Sequence, residues 1–154
     1  MPITVTSPVT GTAITGLTSP TYTFVTDTAP AVTAKQWACT ALGGTQTGAS
    51  AHTVSSPFTF TFFRAPTLRT IPSVNANGVI KNIPVNTYKA LLRKGAVPAL
   101  NQAPVVNSVE IKFNVHAGSD SQSPVEISAM MSCLVGLLTQ NAQGISDTLK
   151  TGTI

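Results

Sequence analysis

Charge is what this sequence has least of. Lys, Arg, Asp and Glu together make up 9% of its 154 residues, against roughly 25% in an average globular chain. A free monomer of this size normally carries more charge on its surface, so the shortage points to a surface covered by other copies of the chain. Acids are scarcer than bases, five against nine, which leaves a net charge of +4. Repeated over a closed assembly, that excess becomes a field that favours a polyanion, with nucleic acid the usual one.

Other shortages exclude other classes. Two cysteines, Cys39 and Cys133, do not make the disulfide framework of a small secreted domain, and no C-x-x-C or His/Cys cluster suggests a metal. They read as reduced thiols packed as small hydrophobes. The longest apolar stretch, Val125 to Leu138, is interrupted by Glu126 and falls short of the ~20 residues of a membrane helix. Met1-Pro2 leads into alternating Thr and aliphatic residues with no signal-peptide pattern, so a soluble, cytoplasmically made protein is expected. The Gly43-Gly44 loop lacks the Gly-Lys-Ser/Thr ending of a phosphate cradle. His52, His116 and the five acids are scattered, so no catalytic constellation, metal site or cofactor is expected, and the protein reads as a non-enzyme.

What is abundant is threonine and period-two alternation. The first 70 residues hold 19 of the 24 threonines, a residue that favours strands. Ile3–Thr6, Thr21–Thr26, Ala34–Leu42, Phe58–Phe63, Val85–Lys94 and Val105–Val115 read as strands, the first within an N-terminal strand or hairpin. Trp37 and Cys39 share one face of their strand, with Gln36, Ala38 and Thr40 on the other. Phe58, Phe60 and Phe62 share one face of theirs. Asn75-Ala76-Asn77-Gly78 is a turn signal.

After residue 120 the period changes. Ser123-Pro124-Val125-Glu126 carries a capping-box pattern with Pro at the first helical position. It predicts a helix to about Gln140, with a short second helix near Ile145–Lys150. Between Pro124 and Gln140 the only charge is Glu126. A helix apolar nearly all round must be buried on more than one side. One sheet covers one side, and a second subunit is the economical cover for another, with a long loop of the same chain as the alternative. Val125, Met130, Met131, Leu134, Leu137 and Leu138 are the expected interface residues.

The fold class is therefore α+β. An antiparallel sheet of six or seven strands, N-terminal hairpin included, is followed by C-terminal helices that pack across a dimer partner. One domain spans 1–154, with 1–121 the sheet region and 122–154 the helical dimerisation region.

Asn86-Thr87-Tyr88-Lys89-Ala90-Leu91-Leu92-Arg93-Lys94-Gly95-Ala96-Val97-Pro98 resembles the central strand-and-turn segment of coat proteins from single-stranded RNA (levivirus-like) bacteriophages. Val109 to Val115, then an acidic-Ser helix start and an apolar terminal helix, follow that family's order. The resemblance covers about residues 84–154; the first 80 match only in being β-rich. It implies dimers whose sheets join into one, helices crossing onto the partner, and an icosahedral shell with single-stranded RNA on the sheet face opposite the helices. In several members that face also grips an operator hairpin and represses replicase translation. The implied location is the virion, assembled in the host bacterial cytoplasm.

The candidate RNA contacts follow from alternation and charge. In the 105–115 strand, Val109, Ile111, Phe113 and Val115 should face the helices, turning Glu110, Lys112, Asn114 and His116 the other way. Thr87, Lys89, Leu91 and Arg93 share one face of the neighbouring strand. Tyr88, Ala90, Leu92 and Lys94 share the other, and alternation leaves open which looks inward. Lys81 to Lys112 holds five basic residues and one acid, a net charge equal to that of the whole chain. A phosphate contact needs Lys or Arg, and an unpaired base needs a ring or a pocket. The RNA-binding set is Lys81, Thr87, Tyr88, Lys89, Arg93, Glu110, Lys112 and Asn114, although Tyr88 reads somewhat more readily as a core ring. The competing reading is a β-sandwich adhesin, pilin or phage-tail module without RNA binding.

Overall fold

The computed structural model describes residues 2–154. Six strands form one antiparallel meander in sequence order: β1 (Val9–Thr10), β2 (Thr18–Asp27), β3 (Ala34–Thr45), β4 (Phe58–Phe63), β5 (Val85–Ala96) and β6 (Val105–His116). Three helices follow: α1 (Ser119–Gln122), α2 (Pro124–Gln140) and α3 (Ala142–Thr151). This is the α+β order expected, and a single sheet with helices is not a two-sheet sandwich.

Directly paired residues share a face, so the registers sort the whole sheet. Trp37 opposes Phe60, Phe60 opposes Leu92, and Leu92 opposes Val109. Together with Phe24, Cys39, Phe58, Phe62, Tyr88, Ile111 and Phe113 they make one apolar face. Trp37 stacks on Phe60 with ring centres 5.8 Å apart, and Tyr22 meets Phe58 edge-on. Lys94 also falls on this face, its Nζ 5.1 Å from the centre of the Phe58 ring, and burial holds its pKa below the ordinary 10.5.

Three local expectations change. Ile3–Thr6 joins no ladder. Instead Ile3 and Val5 line cavities over the apolar face, and the Ile3 carbonyl accepts from Lys35. The N-terminal hairpin shrinks to the two residues of β1, with an isolated bridge between Ile14 and Leu17. Ser123 makes no side-chain cap bond, because it joins α1 to α2: its N–H goes to Ser119 and its carbonyl accepts from Glu126 N–H. The second helix starts earlier than expected and runs through Gly144, the break falling at Asn141, whose N–H and side-chain amide both donate to the Leu137 carbonyl.

The core is thin. Among the described residues the buried apolar side chains are Pro20, Trp37, Ala38, Cys39, Ala65 and Ala117. The chain exposes 10542 Å², whereas a compact monomer of 15.9 kDa exposes about 7,300 Å².

Candidate nucleic-acid and subunit interfaces

The face opposite the aromatic one is polar and is assembled by cross-strand register. Thr87 opposes Asn114, Lys89 opposes Lys112, Leu91 opposes Glu110 and Arg93 opposes Ser108. The pairing with β6 therefore resolves the orientation of β5 that alternation left open. Six of the expected contacts share this surface: Thr87, Lys89, Arg93, Glu110, Lys112 and Asn114. Thr87 Oγ1 donates to Asn114 Oδ1 at 2.8 Å. Glu110 bridges two lysines, with Oε1 3.2 Å from Lys112 Nζ and Oε2 3.4 Å from Lys89 Nζ. The hydrogen bond from Lys112, then the charges of both lysines, hold the Glu110 carboxyl below its usual 4.5.

Two expected contacts lie elsewhere. Tyr88 opposes Phe113 on the apolar face and shares a cavity with Ile3, Phe62, Val115, Ile127, Met130 and Met131; its parity in β5 dictates this. Lys81 is exposed in the loop before β5, off the sheet.

The register adds residues that the sequence reading did not select. Phe63 opposes Lys89, which sets its ring on the polar face, half-exposed, with Lys89 Nζ 4.7 Å from the ring centre. The run Phe62-Phe63 holds the missed signal, since two adjacent residues of a strand must face opposite ways. Beside Phe63 lies a nearly closed polar network. Arg93 Nε donates to Thr59 Oγ1 at 3.1 Å and its Nη2 to Gln36 Oε1 at 3.2 Å. Thr61 Oγ1 donates to the same Gln36 oxygen at 2.8 Å, while Gln36 Nε2 donates to Asp27 Oδ2 at 2.7 Å. Thr59, Thr61 and Gln36 are all buried. That hydrogen bond from Gln36, and a second from Thr28 N–H, hold the Asp27 carboxyl below its ordinary 3.8. Two of the five N–H donors of Arg93 are thus fixed, and three remain for an outside acceptor. A surface with fixed guanidinium, lysines and one open ring suits phosphates and an unpaired base.

The second surface is apolar. No residue of α2 is buried. Ile127, Met131 and Leu134, at helical spacing, are half-covered, while Val125, Met130, Val135, Leu137 and Leu138 are exposed. Cys133 is also exposed on this helix, contrary to the packed thiol expected, whereas Cys39 is buried. The third surface is an edge. β1 ends the sheet with two residues, but β6 ends it with twelve, free of proline. An open strand of that length is a template for another strand.

Comparison with known proteins agrees with this geometry. No protein-family model matches the sequence, and no curated protein does. Among solved structures, the chain of the virus-like particle of bacteriophage ESE020 is 49% identical, with a TM-score of 0.96 over 99% of this chain and 100% of that one. The virus-like particle chain of Beihai levi-like virus 32 shares the fold at 13% identity and a TM-score of 0.50, covering 86% of this chain and 88% of that one.

Proposed function

Since the chain belongs to the coat-protein family of single-stranded RNA bacteriophages, we propose that it pairs through β6 and α2, that the dimers close into an icosahedral shell, and that the polar sheet face packages single-stranded RNA. A capsid role in the virion follows from the family itself. The observation that carries the pairing is the uncovered surface: an excess of about 3,200 Å² over a compact monomer, well beyond the ~800 Å² per partner of a standard interface. A twofold pairing along β6 closes the open edge, and helices exchanged between copies cover the residues of α2 that the chain leaves bare. Val125, Met130, Met131, Leu134, Leu137 and Leu138 are the proposed interface side chains.

RNA binding rests on the convergence of Lys89, Arg93 and Lys112 on one face with Thr87, Asn114 and Phe63. Glu110 sits among them as a spacer between lysines. An operator hairpin would be held on the same face, with repression of replicase translation as the consequence.

Expression of the chain and negative-stain microscopy test the assembly: uniform round particles are expected, and monomers or fibres would refute it. Replacing Lys89, Arg93 and Lys112 together by Gln should lower packaged RNA, read as the 260/280 nm ratio of purified particles, while the dimer survives. An unchanged ratio would remove this face from the RNA site.

A further inference from the structure

We propose that the two copies join along β6 in one register, with Ile111 opposite the partner's Ile111 and Lys112 opposite the partner's Glu110. This rests on the edge pairing proposed above and specifies it.

Parity narrows the choice first. Directly opposed residues of an antiparallel pair project from the same face. In β6 the odd-numbered residues from 109 to 115 belong to the apolar face and the even-numbered ones to the polar face. A dyad that keeps both apolar faces on one side must therefore pass beside a residue that opposes itself, because a one-residue slip would set Lys112 against an apolar side chain. The length of β6, Val105–His116, then favours a central position. A dyad at Ile111 pairs 106–116 of each strand and one at Glu110 pairs 105–115. A dyad at Val109 or Lys112 shortens the ladder to 105–113 or 108–116, and one at Phe113 to 110–116.

Charge decides between the two long ladders. A dyad at Glu110 sets two carboxylates face to face, which is unfavourable directly across a ladder. A dyad at Ile111 sets each Lys112 against the partner's Glu110, two reciprocal ion pairs. Lys112 already holds its own Glu110 at 3.2 Å, and with a side chain 63% exposed it has room to bridge from there to the partner's carboxylate. On the other face the same register sets Val109, 52% exposed in the single chain, against the partner's Phe113, a favourable aromatic and β-branched pair formed twice. Lys89, 3.4 Å from Glu110 Oε2 on the β5 side, extends each pair into a row of alternating charge across the dyad.

Single cysteines test this in a chain whose Cys133 is replaced by Ser. Opposed residues have Cα atoms about 4.5–5.5 Å apart, within disulfide reach, whereas residues two positions off register lie about 7–8 Å apart. Under mild oxidation Ile111→Cys should give a disulfide dimer, and Glu110→Cys and Lys112→Cys alone should not. Charge reversal gives a second measure. Glu110→Lys and Lys112→Glu should each raise the dimer dissociation constant at least about threefold, and the double reversal should restore it. Dimers that cross-link at Glu110→Cys or Lys112→Cys, or a double reversal weaker than both singles, would overturn the register and leave the pairing standing. A wild-type chain that light scattering shows to be monomeric would overturn the pairing itself.

Discussion

Arg93 and Gln36, on strands separated by β4, meet at a single oxygen: Arg93 Nη2 donates to Gln36 Oε1 at 3.2 Å. Gln36 is held in turn by Asp27 and the Thr28 carbonyl, so the guanidinium is oriented by groups two and three strands away. Replacing Gln36 with Leu would strand the buried Thr61 hydroxyl and release Arg93 Nη2, leaving the guanidinium held only through Nε on Thr59. Unfolding stability should fall by about 1–3 kcal/mol. RNA retention should fall by less than in Arg93→Gln, because the charge stays and only its aim is lost. Thermal melts and the nucleic-acid content of particles check the two halves separately.

Asp27 gives the network a pH dependence with a definite sign. Its folded-state pKa lies below the ordinary 3.8, so the stabilisation is complete above that value and is lost as pH falls through the lower folded value. Asp27→Asn should cost about 1 kcal/mol at pH 7, in line with a part-exposed hydrogen bond to a charged group. The gap between the two proteins should shrink below pH 4 as wild type loses its carboxylate. Denaturant midpoints measured from pH 7 down to pH 3 would show the curves converging; parallel curves would mean that Asp27 is not the titrating group.

How much of this was legible in the sequence depends on contrast. In β6 every second residue from Val109 to Val115 is apolar and its neighbours are Glu, Lys and Asn, so the polar face could be read directly. In β5 both alternating sets contain a Leu and a basic residue, Leu91 with Arg93 and Leu92 with Lys94. Only the pairing Lys89 to Lys112 assigns the faces and moves Tyr88 to the aromatic side. The α2 bounds came from Pro124 and from the apolar run, but the capping role of Ser123 did not survive, because its N–H goes back to α1 and its own carbonyl takes the Glu126 N–H that a side-chain cap would accept. The Gln36–Thr59–Thr61 cluster was illegible for another reason: three uncharged residues on two strands become a site only once Arg93 is registered beside them.

Glu110 tempers the lysines it bridges. Replacing it with Gln removes one negative charge from between Lys89 and Lys112, both of which it bridges at the part-exposed polar face. RNA affinity should rise, and the plot of log affinity against log salt should steepen, since each phosphate neutralised adds about 0.7 to the slope for single strands. Filter binding of a short RNA to isolated dimers between 50 and 300 mM salt reads both effects. An unchanged slope would show that the two lysines contact no phosphate.

The exposed side of α2 should govern assembly without governing the fold of the sheet. Leu137 and Leu138 are 52% and 41% exposed, so a charge at either costs the single chain little. In a helix exchanged between copies the same charge would be carried into an apolar contact with no partner, where truncating or burying an unpaired charge costs several kcal/mol. Leu137→Asp with Leu138→Asp should therefore abolish particles and shift light scattering toward monomer, while the far-ultraviolet β signal persists.

Backbone closeness at Gly95 sets a different kind of limit. Its N–H donates to the Pro57 carbonyl at 2.6 Å, and a Cβ there would meet the Ser56 hydroxyl and lie 2.7 Å from Ser56 Cα. The hydroxyl could swing away, but the backbone of residues 56–57 could not retreat without breaking the Gly95–Pro57 bond that ties the β3–β4 loop to β5. Gly95→Ala should thus destabilise the chain by about 1–3 kcal/mol, the usual cost of forcing extra volume into a packed site. Gly78→Ala offers the comparison. It lies in a turn rather than a strand, at φ 73° with nothing near its Cβ position, so its cost should be limited to the about 1–2 kcal/mol of a left-handed conformation. If the loop seats β4 against β5, Gly95→Ala should also free Lys94 from Ser50, now 3.1 Å from its Nζ, and raise proteolysis between residues 46 and 57. Gly78→Ala should leave that segment protected. Limited proteolysis of the two variants, matched for thermal stability, separates a local loss of the loop from a general loss of fold.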